Sequence, residues 1–550
     1  MDPELIKKIR NLPVVVSLGD MSWNKTGSWS LQKPVFSTKY PPCQEGCPAH
    51  VPVREIMAKI KTKDIDGAAK LFVESNPFPA ITGRVCHHPC QLNCLRGKFD
   101  GALEIRAVER LLGDFVTTPI GITGSKPETT GEIAVAGSGP SGLACAYFLR
   151  LNGYNVTIFE SRSQPGGLLR FGIPPYRLSD DVLDKEIKRL EKMGIEFKTG
   201  VTVTGKLIKE ELSRYNAVFL GIGAHVSRNL RIPGEDLDQV LSGLTFLFNY
   251  ENYRAKFKNK KVVVIGGGNT AMDAARTALR LGARANILYR RTRQEMPAIH
   301  EEIEGALEEG CKIDFLSAPV EIKQSNGQLE LYCVRMRLGE PDESGRRRPE
   351  PIHDSQFKST YDYVISAVGE DPDFRDFDNL FLVEHNAIKI NETGQTGVPS
   401  IFAGGDAAGY PRTVVDAIAS GKKAATAIHY FLRGKQQPQK TENKSPLTID
   451  DVNTSYFVPE EAVHINSLTP EDREGNFSEI ISSLTEQEAV EESERCFSCG
   501  ACTFCDNCVI FCPDFSVIPS ENKYRINEEY CKGCGICIKE CPRGVIHWSK

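Results

Sequence analysis

The most chemically specific pattern in the chain is the spacing of cysteines near its C-terminal end. From Cys502 the spacing is C-x2-C-x2-C-x3-C-P, and it recurs from Cys531. This repeat is typical of a two-cluster ferredoxin, where each [4Fe-4S] cluster takes three thiolates from one run and the fourth from the other. A pair of zinc sites is the alternative, although three closely spaced cysteines before C-P suit zinc poorly. The predicted ligand sets are Cys502, Cys505, Cys508 and Cys541, and Cys531, Cys534, Cys537 and Cys512.

The other cysteines are also unevenly distributed. The chain has 18 cysteines, of which five lie between residues 43 and 94 and ten between 496 and 541. Cytosolic thiols rarely form structural disulfides, so clustered ones indicate metal binding. Only Cys145, Cys311 and Cys333 lie between the two groups, and we expect them to pack as small core residues.

A glycine-rich turn near residue 137 predicts a dinucleotide site. Gly137, Gly139 and Gly142 give G-x-G-x-x-G after a β-branched run, and Glu160 ends the next predicted strand 18 residues after Gly142. In this arrangement the helix N-terminus receives a pyrophosphate and the acid accepts a ribose hydroxyl. A plain glycine turn is the alternative. We predict FAD binding here, with Ser138 and Pro140 as further contacts.

A second turn predicts a site for another dinucleotide. Gly266, Gly268, Asn269, Thr270 and Ala271 form G-x-G-x-x-A, again between a strand and a helix. The following strand runs into basic residues rather than an acid, and a guanidinium there suits a 2′-phosphate, so we predict NADP(H) rather than NAD(H). The alternative is that these arginines are merely solvated. The basic residues are Arg290, Arg291 and Arg293.

A third nucleotide motif lies late in the chain, where Gly404, Gly405 and Asp406 end a predicted strand. In flavoproteins with two dinucleotide domains, such an aspartate binds the ribityl chain of FAD. The next predicted helix, which opens at Thr413 and Val414, directs its positive end at the flavin. The alternative is that Asp406 is a simple turn residue. The order of motifs implies an FAD domain interrupted by the NADP domain.

Composition excludes several other classes of protein. The chain has 550 residues and a net charge of −5, without an apolar run long enough to span a bilayer, so we expect neither a membrane protein nor a nucleic-acid binder. Its first 20 residues lack the apolar core of a signal peptide, and a cytoplasmic location is expected. Residues 433–446 are predicted to be a linker, and the glutamate-rich residues 486–495 a solvated helix face.

Together these motifs resemble the glutamate synthase small-subunit-like FAD/NAD(P) oxidoreductases, over residues 40–435. The resemblance rests on NPFPAITGRVCHHPCQLNC (76–94), GGLLRFGIPPYRL (166–178), GGGNTAMDAAR (266–276), YRRTRQEMPA (289–298) and FAGGDAA (402–408), besides the FAD turn. The family also includes the N-terminal half of dihydropyrimidine dehydrogenase and the large subunit of NADH-dependent ferredoxin:NADP oxidoreductase. The resemblance implies that Gly167, Leu168 and Arg177 contact FAD.

The resemblance further implies a helical iron–sulfur domain at the N-terminus. Its flavin-proximal cluster would be held by Cys47, Cys86, Cys90 and the unusual fourth ligand Glu109. Members with a second N-terminal cluster carry a C-x2-C pair ahead of the cysteine that matches Cys43, but here that stretch is Ser37–Pro42. Two ligands for a second cluster are therefore missing from this region.

A separate C-x2-C pair, Cys496 and Cys499, precedes the ferredoxin repeat. We hypothesise that the C-terminal segment folds back, so that this pair joins Cys43 and Cys94 around one cluster. Fifteen cysteines and Glu109 then supply sixteen ligands, enough for four [4Fe-4S] clusters. The alternative is that Cys496 and Cys499 are free or bind another metal, and that Glu109 is an ordinary helix carboxylate.

The predicted fold class is α/β, with two Rossmann-like domains between a helical iron–sulfur domain and a ferredoxin-like domain. The predicted boundaries are 1–125 (helical), 126–240 and 371–435 (FAD), 241–370 (NADP), 436–495 (linker and fold-back segment) and 496–550 (ferredoxin-like).

The predicted function is that of an electron-transfer subunit linking NADPH, FAD and [4Fe-4S] clusters to a partner, with ferredoxin or electron-bifurcating subunits favoured. A self-sufficient NADPH:ferredoxin oxidoreductase and a glutamate synthase small subunit are alternatives, and a scaffold with relic sites is a third. Hydride transfer to flavin needs positioning rather than a side-chain acid, so no catalytic residue is predicted.

Overall fold

The computed structural model describes residues 25–116, 131–342, 345–377, 379–438, 446–521 and 523–549, together with Glu4 and Lys7. The first 20 residues, where no signal peptide is expected, lie outside the described residues apart from Glu4 and Lys7. So do residues 439–445 of the predicted linker and the predicted boundary at residues 125 and 126. Within the described part of the chain, no helix is long and apolar enough to cross a membrane.

The first dinucleotide-binding half is a five-stranded parallel sheet. Its strand order is Ile401–Ala403, Ala217–Leu220, Glu132–Ala136, Asn155–Glu160 and Glu196–Thr199. The central strands are buried on both faces because helices cover each side, which explains why they read as continuous apolar runs. One face packs against three helices, Pro140–Leu151, Asp180–Lys192 and Val414–Leu432. The other face packs against helix Gly205–Glu210 and against residues Phe377 and Phe381.

The second half is another five-stranded parallel sheet. Its order is Lys312–Phe315, Arg284–Tyr289, Lys261–Ile265, Tyr363–Ser366 and Val240–Ser242. In the chain, this sheet lies between strands Ala217–Leu220 and Ile401–Ala403 of the first half. This confirms the predicted insertion of one Rossmann-like unit in the other. Its main helices are Gly243–Phe248, Asn269–Arg280 and His300–Glu308.

An antiparallel sheet, which we call the hairpin sheet, follows strand Lys312–Phe315. It packs against the second parallel sheet through apolar residues such as Ile322, Leu329 and Leu331. Sequence analysis did not predict it. Its strands are Ser317–Ser325, Gln328–Pro341, Arg347–Pro351 and Phe357–Tyr361.

The N-terminal region is helical, as predicted. Its helices are Pro42–Glu45, Val53–Lys61, Ile65–Val73, Pro79–Val85, Pro89–Leu92 and Ile105–Phe115. Their apolar faces form one core, which Leu484 and Ala489 from the C-terminal part of the chain complete. The N-terminal helices therefore need a distant segment to cover their apolar surface.

The acidic helix Glu486–Glu494 supplies that cover and corrects one expectation. We predicted a solvated helix face, but Glu492 is fully buried. Its carboxylate accepts hydrogen bonds from the backbone N–H groups of Glu104 (2.8 Å) and Val463 (3.0 Å), and it pairs with Arg495 at 2.7 Å. A buried carboxylate with three donors is tolerated because its lost hydration is replaced.

The C-terminal region has the compact two-fold arrangement of short helices and strands expected for a ferredoxin-like domain. Its elements are Asn507–Ile510, Val517–Ser520, Lys523–Ile526, Ile536–Lys539 and Ile546–Trp548. The last strand pairs antiparallel with Pro34–Phe36, which joins the C-terminal region to the start of the described chain.

Candidate active site and iron–sulfur ligand sets

The glycine turn at residue 137 is shaped by close backbone contacts. Gly137 has φ of +93°, a conformation that favours glycine. A Cβ at Gly142 would lie 1.9 Å from the carbonyl oxygen of Gly137, whereas a Cβ at Gly139 would meet no atom within 4 Å. Gly142 thus allows the helix to approach the strand, and Gly139 leaves open space where a pyrophosphate would approach the backbone.

Glu160 ends its strand beside this turn. Its carboxylate accepts hydrogen bonds from the backbone N–H of Ser138 at 3.0 Å and from the Ser138 hydroxyl at 2.5 Å. The backbone N–H of Arg162 donates to the other oxygen at 2.9 Å. The Ser161 hydroxyl donates to that same oxygen at 3.2 Å. The carboxylate is therefore fixed at the mouth of the turn, where a ribose hydroxyl would replace one of the two serine hydroxyls as donor.

Helix packing brings the late motif to the same place. Helix Val414–Leu432 lies so close to helix Pro140–Leu151 that a Cβ at Gly421 would be 2.2 Å from the carbonyl oxygen of Ser141. The hydroxyl of Ser420 accepts from the backbone N–H of Gly405 at 2.8 Å and contacts the Ser141 hydroxyl at 3.1 Å. Two motifs more than 260 residues apart in the chain thus form one wall.

These elements enclose a cavity of about 680 Å³. This volume is within the range of cofactor pockets, so the cavity and the open space at Gly139 fit a bound dinucleotide. Gly142 lies behind the wall rather than in it. The predicted FAD residues that line the cavity are Gly137, Ser138, Gly139, Pro140, Glu160, Gly167, Leu168, Arg177, Gly405, Asp406, Thr413 and Val414.

Asp406 is a residue of this cavity whose pKa is shifted by its surroundings. Burial raises its pKa to about 6, with the carboxylates of Glu370 and Asp416 adding to the effect and Arg412 opposing it. Thr413 caps the next helix, since its hydroxyl oxygen accepts from the backbone N–H of Asp416 at 3.2 Å.

Arg177, which is predicted to contact FAD, lines the cavity and is also held by two ion pairs. Its guanidinium pairs with Asp273 at 2.7 Å and with Glu302 at 2.9 Å, and all three side chains are largely buried. Asp273 and Glu302 lie on helices of the second half, so Arg177 links the two halves beside the cavity. The sequence could not reveal this, because both partners are distant in the chain.

The second glycine turn reaches the same cavity through Asn269 and Thr270. The side chain of Asn269 accepts from the backbone N–H of Ile299 at 2.9 Å, which places the segment before helix His300–Glu308 over the turn. Gly266, with φ of +153°, Gly268 and Ala271 form the turn itself outside the cavity wall. The second glycine turn and the first therefore meet at one cavity.

The three predicted phosphate-binding arginines occupy different environments. Arg290 is exposed at the end of its strand. Arg291 is buried, with its guanidinium paired to Asp342 at 2.7 Å and donating to the Arg347 carbonyl at 2.7 Å. Arg293 pairs with Glu304. Arg291 therefore anchors the hairpin sheet, contrary to the expectation that it is available for a 2′-phosphate.

Sequence analysis missed several residues of this region. Arg346 of the hairpin sheet is within electrostatic range of Arg290. Arg162 lines the cavity with its guanidinium over the ring of Phe248 at 4.4 Å. His87 lines it from the N-terminal domain, and its Nδ1 is buried without a hydrogen-bond partner. Arg162 could have been predicted, because it lies two residues after Glu160, the acid at the strand end. Arg346 and His87 could not, because they reach this region only through the packing of elements that are distant in the chain.

The first ligand set, Cys47, Cys86, Cys90 and Glu109, is brought together in the N-terminal core. The side chains interact electrostatically, and burial raises the pKa of each thiol. Burial also raises the pKa of Glu109 to about 8, and its carboxylate receives hydrogen bonds from Thr82 and from Asn76 (3.3 Å). A buried carboxylate among three thiols is costly without a cation, which fits a metal ligand.

The second set combines the two ends of the chain. Cys43 interacts electrostatically with Cys94, Cys496 and Cys499. Arg54 donates to the carbonyl of Cys499 at 2.8 Å, and Arg96 donates to the carbonyl of Arg495. These two hydrogen bonds hold the C-terminal segment on the N-terminal domain. The structure thus brings together the four cysteines of the fold-back hypothesis.

The two ferredoxin-like sets each line a small cavity. One cavity is surrounded by Cys502, Cys505, Cys508 and Cys541, and the other by Cys512, Cys531, Cys534 and Cys537. These are the combinations that the repeated spacing predicts. Cys502, Cys505 and Cys534 are exposed, so this region reaches the surface of the chain.

Backbone donors point at sulfur in every set. The N–H groups of residues two or four positions onward donate to one thiol in each set at 3.2–3.4 Å, as is favourable for iron–sulfur thiolates. Among the described residues, no group of three or more His, Cys, Asp or Glu side chains lies close enough to hold a single metal ion. The sulfurs that accept these backbone hydrogen bonds are those of Cys86, Cys496, Cys541 and Cys512.

Comparisons with known proteins agree with this architecture. Residues 131–421 match the pyridine nucleotide-disulphide oxidoreductase family, residues 35–119 match dihydropyrimidine dehydrogenase domain II with its 4Fe-4S cluster, and residues 524–547 match a 4Fe-4S binding domain. The fold and sites thus define an NAD(P)H-dependent flavoprotein oxidoreductase with iron–sulfur domains. All described cysteines are free, and the three between residues 131 and 421 are buried core residues, as predicted.

Individual relatives extend over most of the chain. The β-subunit of NADPH-Fe(3+) oxidoreductase from Geobacter sulfurreducens is 35% identical over 84% of this chain and 76% of its own length. The β-subunit of NADP(+)-dependent formate dehydrogenase from Moorella thermoacetica is 35% identical over 83% and 70%. The NADPH glutamate synthase small chain of Escherichia coli is 34% identical over 71% and 89%. The chain belongs to this family of FAD/NAD(P) oxidoreductases, which confirms the predicted resemblance.

Proposed function

We propose that this chain is the NADP(H)- and FAD-dependent electron-transfer subunit of a larger iron–sulfur oxidoreductase complex. Electrons would pass between NADPH, FAD and four [4Fe-4S] clusters, and then to or from a partner. The names of the three relatives described above all refer to NADPH or NADP(+), but each combines it with a different reaction: an Fe(3+) oxidoreductase, a formate dehydrogenase and a glutamate synthase. This supports a shared NADP(H)-handling role and leaves the acceptor to the partner.

The observation that carries the proposal is the position of Cys86. Val85 and His87, its two chain neighbours, both line the dinucleotide cavity. A cluster bound by Cys86 would therefore lie next to the flavin. Bound FAD supplies the change from two-electron hydride chemistry to one-electron transfer. Helix Pro79–Val85 and the buried N-terminal core hold Cys86 at that wall.

The ligand sets also follow one another in space. Cys43 of the second set is within electrostatic range of Cys90 of the first. Cys499 of the second set lies three residues before Cys502 of the third. Cys537 of the fourth set interacts with Cys508 of the third. This order supports a single path from the cavity to the exposed thiols of the ferredoxin-like domain.

We further propose that the partner is an iron–sulfur or flavin protein that exchanges single electrons, with ferredoxin or the subunits of an electron-bifurcating complex favoured. The exposed Cys502, Cys505 and Cys534 would bring two clusters near the surface where such a partner binds. Short distances matter because electrons cross protein only over small gaps.

Anaerobic reduction with NADPH tests the proposal. NADPH should bleach the flavin absorbance, and an added one-electron acceptor should then be reduced through the clusters. Protein freed of FAD but retaining its clusters should not reduce the acceptor. If the flavin stays oxidised with excess NADPH, or if FAD-free protein transfers electrons at the normal rate, the proposal is wrong.

A further inference from the structure

Arg543 follows the last cysteine of the third ligand set by two residues and lines the cavity of that set. Its Nη1 donates to the carbonyl of Phe497, which lies between Cys496 and Cys499 of the second set. Its own carbonyl accepts from the backbone N–H of Gly500 at 2.7 Å. One arginine is thus attached to the loops of two different sets.

The guanidinium is only partly satisfied by protein groups. It lies over the ring of Phe457 at 4.7 Å from the ring centroid, and its Nε is buried without a hydrogen-bond partner. A buried N–H donor without a partner is costly unless a further group accepts from it. Cluster sulfides and thiolates of either set are acceptors of the required charge.

The surrounding charges indicate the same role. Arg543 interacts electrostatically with Cys496 and Cys499 of the second set and with Cys505 and Cys541 of the third. An arginine guanidinium stays protonated in proteins, so it presents a fixed positive charge to both sets. A cation near a cluster favours the reduced state, which carries one more negative charge.

We propose that Arg543 is an electrostatic bridge that raises the reduction potentials of the second and third clusters together. It is a positioning residue, and the inference rests on the proposed function because both sets must carry clusters. In each transfer one electron leaves one cluster and one electron arrives at the other, and no further reactant is required. Because the same charge acts on both clusters, its contribution largely cancels from the energy of electron transfer between them.

The test is an EPR-monitored redox titration of the full-length holoprotein. Arg543→Gln keeps a donor near the Phe497 carbonyl but removes the charge. Reduction of two of the four clusters should become about tenfold less favourable, a downward shift of about 59 mV for a one-electron couple. The Cys496→Ala/Cys499→Ala protein identifies the second cluster by the signal that it loses.

Arg525→Gln is the matched control, because Arg525 is an exposed arginine of the same domain. It should leave the reduction equilibria of all four clusters within about twofold of their wild-type values, since surface charges are screened. The inference is overturned if Arg543→Gln shifts no potential, shifts only one cluster, or shifts all four equally. Iron content, measured on the same samples, tests the proposed four clusters separately.

If Arg543→Gln loses iron, Arg543→Lys decides the question, because lysine keeps the charge. If the reduction equilibria of both clusters stay within about threefold of the wild-type values in Arg543→Lys, the bridge is supported. The charge, rather than the planar shape of the guanidinium, then sets the two potentials. A tenfold fall in either reduction equilibrium in Arg543→Lys contradicts it.

Discussion

Asp406, the predicted ligand of the FAD ribityl chain, is a side chain whose burial lowers the stability of the folded protein. Burial favours its protonated form in the folded protein, where its pKa is about 6 rather than the usual value near 4. The folded state therefore binds more protons than the unfolded state between those values. The resulting stability penalty is absent below about pH 4 and complete above about pH 6.

We therefore predict that Asp406→Asn stabilises the FAD-free protein at pH 7.5, by at most about 3 kcal/mol. The gain should shrink at pH 5, where the wild-type carboxyl is already protonated. Chemical unfolding at both pH values measures this difference. An equal gain at the two pH values would show that the charge is not the cause.

The same position should matter for the flavin. Asp406→Ala is expected to weaken FAD retention while leaving cluster absorbance largely intact, because the thiol sets belong to other regions of the chain. Flavin content after gel filtration measures the effect. Stoichiometric FAD after this change would mean that Asp406 is only a turn residue.

Arg290 is the residue on which nucleotide preference should depend. Arg290→Ala should raise the KM for NADPH at least about tenfold, since a charge-assisted bond to phosphate contributes about 1.5–3 kcal/mol. The KM for NADH should change little. Arg284→Ala, at the exposed start of the same strand, is the control and should affect neither value. Equal use of both nucleotides by the wild type contradicts the assignment.

At this scale, the sequence predicted residues that lie in local motifs better than residues whose partners are distant. Glu160 and Asp406 could be predicted because each follows a strand at a known distance from a glycine turn. The pairing of Arg291 with Asp342, and of Arg177 with Asp273, depends on how separate elements pack. No local pattern distinguishes such an arginine from one that binds phosphate.

At the scale of elements, the helix Glu486–Glu494 decides whether the two ends of the chain stay together. Glu492 holds two backbone N–H groups and Arg495, all buried at the junction with the N-terminal domain. Removing the charge leaves the buried Arg495 with the more distant Asp100 carboxylate at 3.5 Å, so the loss should be smaller than the cost of about 3–5 kcal/mol that is typical of a buried pair broken completely.

Glu492→Gln should therefore detach this helix before the rest of the protein unfolds. Limited proteolysis should cleave the region between residues 446 and 500 faster in this variant than in the wild type. Glu494→Gln, an exposed neighbour on the same helix, should be cleaved at the wild-type rate. Equal cleavage of both variants would mean that the buried carboxylate does not hold the junction.

The sequence predicted the parallel sheets and their interruption because strand, turn and helix alternate regularly. It predicted the return of the C-terminal segment only through the number of cysteines. It did not predict the buried face of helix Glu486–Glu494, because the glutamates surround few apolar residues. The hairpin sheet was also missed, since its strands are mostly half-exposed and carry no motif.

At the scale of the whole molecule, the predicted ligand sets are built from the two ends of the described chain. The N-terminal domain supplies all of one ligand set and half of the next, and the C-terminal region supplies the remainder. Strand Pro34–Phe36 pairs with Ile546–Trp548, and Lys33 donates to the carbonyl of Cys531 at 2.7 Å. The two ends must therefore fold against one another before the second set is complete.

The most direct test of four ligand sets is anaerobic iron and sulfide analysis of the full-length protein beside its Cys496→Ala/Cys499→Ala variant. The account predicts about 16 iron atoms per wild-type chain and about 12 in the variant, because one cubane of four irons is lost. A wild-type value near 12 that does not fall in the variant would contradict the account, since Cys496 and Cys499 would then hold no cluster.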